Sequence, residues 1–181
     1  MCVLCIFDDE LIDKILQGMT IYSVLFVSYD NAMRSQIAEV CLRHLGRKTF
    51  KVFSCGIPGE IAKEPSTWAV MALHSAGMST DECRCKPWSE FTRSGAPRMD
   101  FVIGLDEDSY HLHPAWPGQP ETALWATPAV NARKIGPHKA GVAAINTLHS
   151  LRRRIELLVS LTGKTSNASA LRHDLRDIAH L

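Results

Sequence analysis

Ser23-Val24-Leu25-Phe26-Val27-Ser28-Tyr29-Asp30-Asn31-Ala32-Met33-Arg34-Ser35 lies near the start of a 181-residue chain. A run rich in Val, Leu and Phe enters a short polar loop. The loop ends at Arg34-Ser35 and gives way to an amphipathic stretch. That order predicts a buried parallel strand, a tight turn and a helix N-terminus. Such a loop gathers backbone N–H groups into one small bowl, and the helix dipole adds positive potential there. Arg34 contributes a planar guanidinium with parallel donors. Together these groups suit a tetrahedral oxyanion such as phosphate, sulfate or arsenate.

Working outward, residues 34–46 predict a helix ended by Gly46, with Ile37, Val40, Cys41, His44 and Leu45 as its buried stripe. Residues 49–54 alternate like a second strand, and Cys55-Gly56 marks the turn after it. Pro65 starts a helix reaching about Ser75, with Trp68, Ala69, Val70 and Leu73 facing inward. Residues 86–91 read as a short helix. Residues 99–106 read as a third strand, closed by the acids Asp106, Glu107 and Asp108. Those acids suit a helix N-terminus, and they also fall where open α/β sheets bind ligands. The Pro- and Gly-rich stretch 113–120 predicts a loop, and residues 123–129 a last strand with its following turn. A long helix is expected over 139–163, with Val142, Ile145, Leu148, Leu151, Ile155, Leu158 and Val159 as its apolar stripe. Arg152-Arg153-Arg154 reads as a solvated face, or as a surface for an acidic partner. Helical spacing recurs at both ends, in Leu11, Ile12, Ile15 and Leu16 and in Leu171, Leu175 and Ile178. The organisation predicted is an N-terminal helical extension (1–22), one domain (23–163) and a helical tail (164–181). The alternation of strands and helices predicts a parallel sheet covered on both faces.

The net charge of +1 gives no basis for a nucleic-acid or membrane-surface partner. No apolar run approaches the roughly 20 residues of a membrane-spanning helix. Asp8, Asp9 and Glu10 are unlike the start of a secretory signal. Six irregularly spaced cysteines suggest reduced thiols in the cytoplasm rather than a disulfide framework. Cys2 and Cys5 have metal-type spacing without a second pair, Cys83 and Cys85 read as unrelated thiols, and His111 and His113 lack further ligands. No metal or other cofactor is expected.

The loop resembles the signature of the low-molecular-weight protein tyrosine phosphatases and the related thioredoxin-coupled arsenate reductases. That signature is a strand, a Cys, five residues, Arg, Ser and a helix. The resemblance spans about residues 23–163. It implies an α/β three-layer sandwich around a central four-stranded parallel sheet, with Rossmann-like topology. It implies a phosphate-binding loop made of Ser28, Tyr29, Asp30, Asn31, Ala32, Met33, Arg34 and Ser35. Arg34 and Ser35 match the family's Arg and Ser, and Asn31 matches the Asn that pins the loop. Ser28 stands at the nucleophile position in place of Cys, Asp30 in place of Gly, and Thr127, before Pro128, in place of the general-acid Asp. The arsenate reductases also need two redox cysteines after the third strand, and residues 105–125 contain none.

These departures bear on chemistry. A helix N-terminus and an Arg can lower a thiol pKa into the physiological range. They cannot make a serine alkoxide without an adjacent base, and the loop holds no His or Lys. Thr127 is a poor proton donor for a leaving group, a role worth about 10²–10⁴-fold. A carboxylate at Asp30 repels a phosphate dianion unless it turns away or is paired. The expected function is a catalytically impaired phosphatase-like protein that binds phosphate or another oxyanion, free or on a phosphorylated protein or small molecule. The alternatives are an active aryl-phosphate phosphatase (or a Cys-to-Ser trap of one) and a structural module, with a homodimer among its possible forms.

Overall fold

The computed structural model describes residues 21–162 and 175–179. The helix expected near 8–17, Cys2, Cys5 and most of the tail lie outside the described residues. Four strands form one parallel sheet in the order β2-β1-β3-β4. They are β1 (Tyr22–Val27), β2 (Phe50–Cys55), β3 (Phe101–Gly104) and β4 (Glu121–Leu124). Val24 of β1 lies between Val52 of β2 and Phe101 of β3. The helices are α1 (Arg34–Leu45), α2 (Thr67–Ser75), α3 (Ser89–Thr92), α4 (Glu107–Leu112), α5 (Ala132–Ile135) and α6 (Pro137–Thr162).

Val24 and Phe26 point to a core built with α1, α2 and α6; Leu25 and Val27 point to a smaller one with Phe91, Met99 and Trp116. Burial on both faces explains why β1 reads as a continuous apolar run rather than an alternating one. Trp125, fully buried just past β4, donates its Nε1–H to the Leu175 carbonyl at 3.1 Å and ties the tail segment to the sheet. The three-layer α/β arrangement with four parallel strands is the one expected.

Some burial expectations need correcting. His44 is exposed: the buried face of α1 runs through Ile37, Ala38, Cys41 and Leu42, and His44 falls beside it. Val142 and Ile145 are also exposed, because the first turns of α6 pack through Ala140 and Ala144 instead. Ala140 and Ala144 are fully buried there, and the Trp68 ring of α2 lies over Gly141. Arg154 is buried rather than solvated, since its position falls between Leu151 and Leu158 on the core face. Its Nη1 donates to the Ala126 carbonyl at 3.4 Å.

Candidate oxyanion-binding site

The chain between β1 and α1 curls at the C-terminal edge of the sheet, where Ser28 donates its N–H to Cys55 O at 3.1 Å. Asn31 makes the turn possible. Its φ of 54° is left-handed, a region Asn tolerates better than most residues. Its side chain then fixes the loop from inside. Asn31 Nδ2 donates to Ser35 Oγ at 2.7 Å and to Ser54 Oγ at 2.9 Å. Asn31 Oδ1 accepts from the Lys86 N–H at 2.8 Å and from Gln36 Nε2 at 3.2 Å.

A second layer supports Asn31. Lys86 Nζ lies 3.0 Å from Glu39 Oε2, and both residues are buried. Glu39 also accepts hydrogen bonds from Ser54 Oγ and Arg43. Gln36 Nε2 reaches Arg84 O at 2.7 Å. Sequence reasoning missed Gln36, Glu39, Ser54 and Lys86. The available signal was the pair of polar residues, Gln36 and Glu39, flanking the apolar Ile37 and Ala38 in α1. Gly56 has a steric role: a Cβ there would sit 2.8 Å from Ser28 O and 2.9 Å from Asn31 N.

The signature residues are brought together. Ser28 is fully buried, and its Oγ shares a 2.6 Å hydrogen bond with Ser35 Oγ. No His or Lys side chain bonds to Ser28 among the described residues. Arg34 Nη2 lies 3.0 Å from Asp106 Oδ2, and Arg34 Nη1 donates to Thr127 O at 3.1 Å. Asp106 does two jobs at once. Its Oδ1 caps α4 by accepting from Ser109 N at 2.8 Å, while its Oδ2 takes Arg34 and the Tyr29 N–H at 3.0 Å. Asp30 turns back onto the loop, and its Oδ1 accepts from the Ala32 N–H at 3.0 Å. Thr127 comes close to Arg34 only through its backbone. Its hydroxyl donates to Trp125 O at 2.9 Å.

The remaining loop donors are uncommitted. The N–H groups of Asp30, Asn31, Met33, Arg34 and Ser35 have no protein acceptor among the described residues. Those of Met33, Arg34 and Ser35 lie at the N-terminus of α1, where helix geometry leaves such groups unpaired and the dipole favours an anion, and those of Asp30 and Asn31 lie in the loop before it. Above the loop is a cleft of about 890 Å³ lined by Tyr29, Asp30, Met33, Arg34, Trp68 and Asp108, among others. The Tyr29 hydroxyl keeps its proton above the ordinary tyrosine range. A hydrogen bond to Glu60 is the main cause, and the charges of Glu60, Asp108 and Asp30 add to it.

The described thiols are free. Burial pushes Cys41 up to about 12 and Cys85, whose Sγ contacts Asn31 O at 3.3 Å, up to about 11. No group of three or more His, Cys, Asp or Glu among the described residues could hold a metal. His111 is exposed and lies 3.1 Å from Glu107. No helix among the described residues is long and apolar enough to cross a membrane.

A strand-loop-helix bowl with an inward Asn, an Arg at its lip and a 2-1-3-4 parallel sheet define a phosphatase-type α/β domain. The chain belongs to the low molecular weight phosphotyrosine protein phosphatase family, whose model matches residues 23–122. Among solved structures it is similar to an arsenate reductase in the phosphate-binding state: TM-score 0.62, 23% identity, 78% of this chain and 99% of that one. It is also similar to the tyrosine phosphatase Wzb from Escherichia coli K30 in complex with sulphate: TM-score 0.61, 16% identity, 78% and 99% coverage. A third is a Cys-to-Ser mutant of the YwlE arginine phosphatase with a phosphorylated active-site serine: TM-score 0.61, 16% identity, 81% and 99% coverage. These likenesses concern the fold. A comparison with curated proteins finds no match.

Proposed function

We propose that this protein is a phosphate or oxyanion receptor built on the phosphatase fold, with its hydrolytic chemistry impaired. The observation that carries this reading is the contrast inside one loop. Five loop N–H groups have no protein acceptor among the described residues, and Arg34, held by Asp106 and Thr127 O, stands beside them on the wall of the cleft. The groups that would break and remake a phosphate ester are not arranged for it. Ser28 has a hydroxyl partner where it would need a base, and the Thr127 hydroxyl is committed to Trp125 O. Free thiols at Cys41, Cys55, Cys83 and Cys85 support a reducing, cytoplasmic setting.

Thermal unfolding with increasing phosphate, at fixed ionic strength with chloride as control, tests the reading. A ligand at 100 times its dissociation constant that binds only the folded state adds about 2.7 kcal/mol. A saturable, phosphate-specific rise in Tm that disappears in Arg34→Ala is expected. No rise beyond chloride would reject the receptor.

A second reading is favoured by the place of Ser28 at the head of the loop, next to N–H groups that have no protein acceptor among the described residues. Ser28 could accept one phosphoryl group and keep it. The Oγ–P bond forms, the ester bond breaks, and the Ser28 proton leaves with the departing alcohol. The Cys-to-Ser mutant of the YwlE arginine phosphatase carries a phosphorylated active-site serine. Intact-mass measurement after incubation with an aryl phosphate decides this: one added phosphoryl group, lost in Ser28→Ala, supports it, and an unchanged mass rejects it.

A further inference from the structure

Among the described residues, the cleft over the loop is lined by the carboxylates Asp30, Asp106 and Asp108 and by the cationic Arg34. Arg34 and Asp106 neutralise each other at 3.0 Å. Asp30 and Asp108 have no cationic partner among the described residues. Asp30 uses one oxygen on the Ala32 N–H and has its other oxygen uncommitted. Asp108 is exposed on the first turn of α4. The same two charges add to the effect of Glu60 on the Tyr29 hydroxyl, which shares the cleft wall with them. A bowl made to hold an anion therefore opens through a mouth of the same sign.

We infer that the ligand is a zwitterion: a phosphate monoester carrying a cationic group, an alkylammonium, within a few bonds of the phosphorus. The inference rests on the receptor reading. The phosphoryl oxygens take the N–H groups of the loop and Arg34. The ammonium lies toward Asp30 and Asp108, turning their repulsion of a simple phosphate ester into attraction. The half-exposed Tyr29 ring and the Trp68 ring complete the wall, and aromatic faces tolerate a cation well. Asp30 and Asp108 are then specificity residues, not catalytic ones. This gives a physical account of a carboxylate at position 30, where a bare phosphate site would be better served by glycine.

The test is titration calorimetry on the full chain at neutral pH and fixed ionic strength. The probes are inorganic phosphate, O-phosphoethanolamine, ethyl phosphate and phosphoglycolate, which place a cation, a methyl group or a carboxylate beside one phosphate. Partly solvated ion pairs are each worth up to about 1 kcal/mol, so phosphoethanolamine should bind about five-fold tighter than ethyl phosphate. Phosphoglycolate should bind weakest. Asp108→Asn should narrow the preference, and Asp30→Asn with Asp108→Asn should abolish it while tightening ethyl phosphate. Asp108 is exposed, so its variant is expected to fold and keeps the test open if the double variant does not. A phosphopeptide with Lys beside the phosphorylated residue, compared with one bearing Glu, distinguishes the source. Preference for Lys points to a peptide; preference confined to phosphoethanolamine points to a small molecule. Equal or weaker binding of phosphoethanolamine than of ethyl phosphate overturns the zwitterion and leaves the receptor standing. Failure of all four probes, inorganic phosphate included, rejects the receptor itself and the zwitterion with it.

Discussion

Replacing Asn31 by alanine should be the most damaging single change in the loop, and the structure allows the damage to be sized. The Asn31 side chain makes two donor contacts, to Ser35 and Ser54, and two acceptor contacts, from Lys86 and Gln36, all in a fully buried setting. At about 1 kcal/mol net for each hydrogen bond, their loss costs about 4 kcal/mol. Alanine must also hold the left-handed backbone that Asn31 tolerates, adding about 1 kcal/mol. Ser35 and Ser54 keep Ser28 and Glu39 as partners, which softens the result to a range of about 3–5 kcal/mol. A whole domain has only about 5–15 kcal/mol to lose. Urea unfolding followed by circular dichroism reads this directly. With a slope of about 2 kcal/mol per molar, the midpoint should fall by about 1.5–2.5 M. Phosphate should no longer raise the Tm. A midpoint shift below about 0.5 M with an unchanged slope would refute Asn31 as the internal anchor of the loop.

Other perturbations separate the parts of the site. Gly56→Ala places a Cβ 2.8 Å from Ser28 O and 2.9 Å from Asn31 N, so backbone must move. It should cost about 1–3 kcal/mol in urea unfolding and weaken phosphate binding more than ten-fold; native-like affinity would count against the close approach. Burial raises Cys41 from 9.0 to about 12, so the folded state holds its proton longer than the unfolded chain. Its contribution is intact below about pH 9 and lost between there and about pH 12; Cys41→Ser should flatten that limb of a stability-against-pH curve. Ser28→Cys combined with Thr127→Asp should gain aryl-phosphate turnover at least about 100-fold above Ser28→Cys alone. Equal turnover of the two would remove Thr127 from the account of impaired catalysis.

The fold was legible because β1 and the start of α1 carry an unusually dense signal: a run of buried apolar residues, a polar turn and an Arg-Ser helix start. The later strands then fell into order around it. The internal support of the loop was not legible. Glu39, Lys86 and Ser54 are ordinary polar residues in sequence, and only the packing of α1 against β2 and the segment before α3 makes them one buried network. Arg154 failed for a related reason. Three consecutive arginines suggest a solvated face, yet consecutive residues on a helix point in directions about 100° apart, so one of three can turn inward. At Val142 and Ile145 hydrophobicity misled, because close helix contact at the start of α6 favours alanine over larger apolar side chains. Asp106 could be read as an acid at a helix start, and it caps α4 as such. Its second contact, to Arg34, joins residues distant in sequence and needed the sheet to bring β1 and β3 side by side.

A phosphatase loop of this kind must hold two anions in succession, a thiolate while waiting and a phosphate while working. Its donors are shared between them. A neutral serine changes that balance. Ser28 asks nothing of the five loop N–H groups, because its hydroxyl is paired with Ser35, and the donors are left to the ligand alone. The bowl can then bind an oxyanion without first displacing or sharing charge with its own nucleophile. On the proposed reading the serine also slows any covalent step, and Thr127, whose hydroxyl donates to Trp125 O, supplies no proton to a leaving group. On that reading Ser28 and Thr127 pull in one direction, toward longer residence of an intact phosphate ester. Asp30 then supplies what prolonged residence alone lacks. A receptor that holds every phosphate equally would be filled by inorganic phosphate, whereas a carboxylate at the mouth penalises the bare anion and favours a ligand that brings its own positive charge.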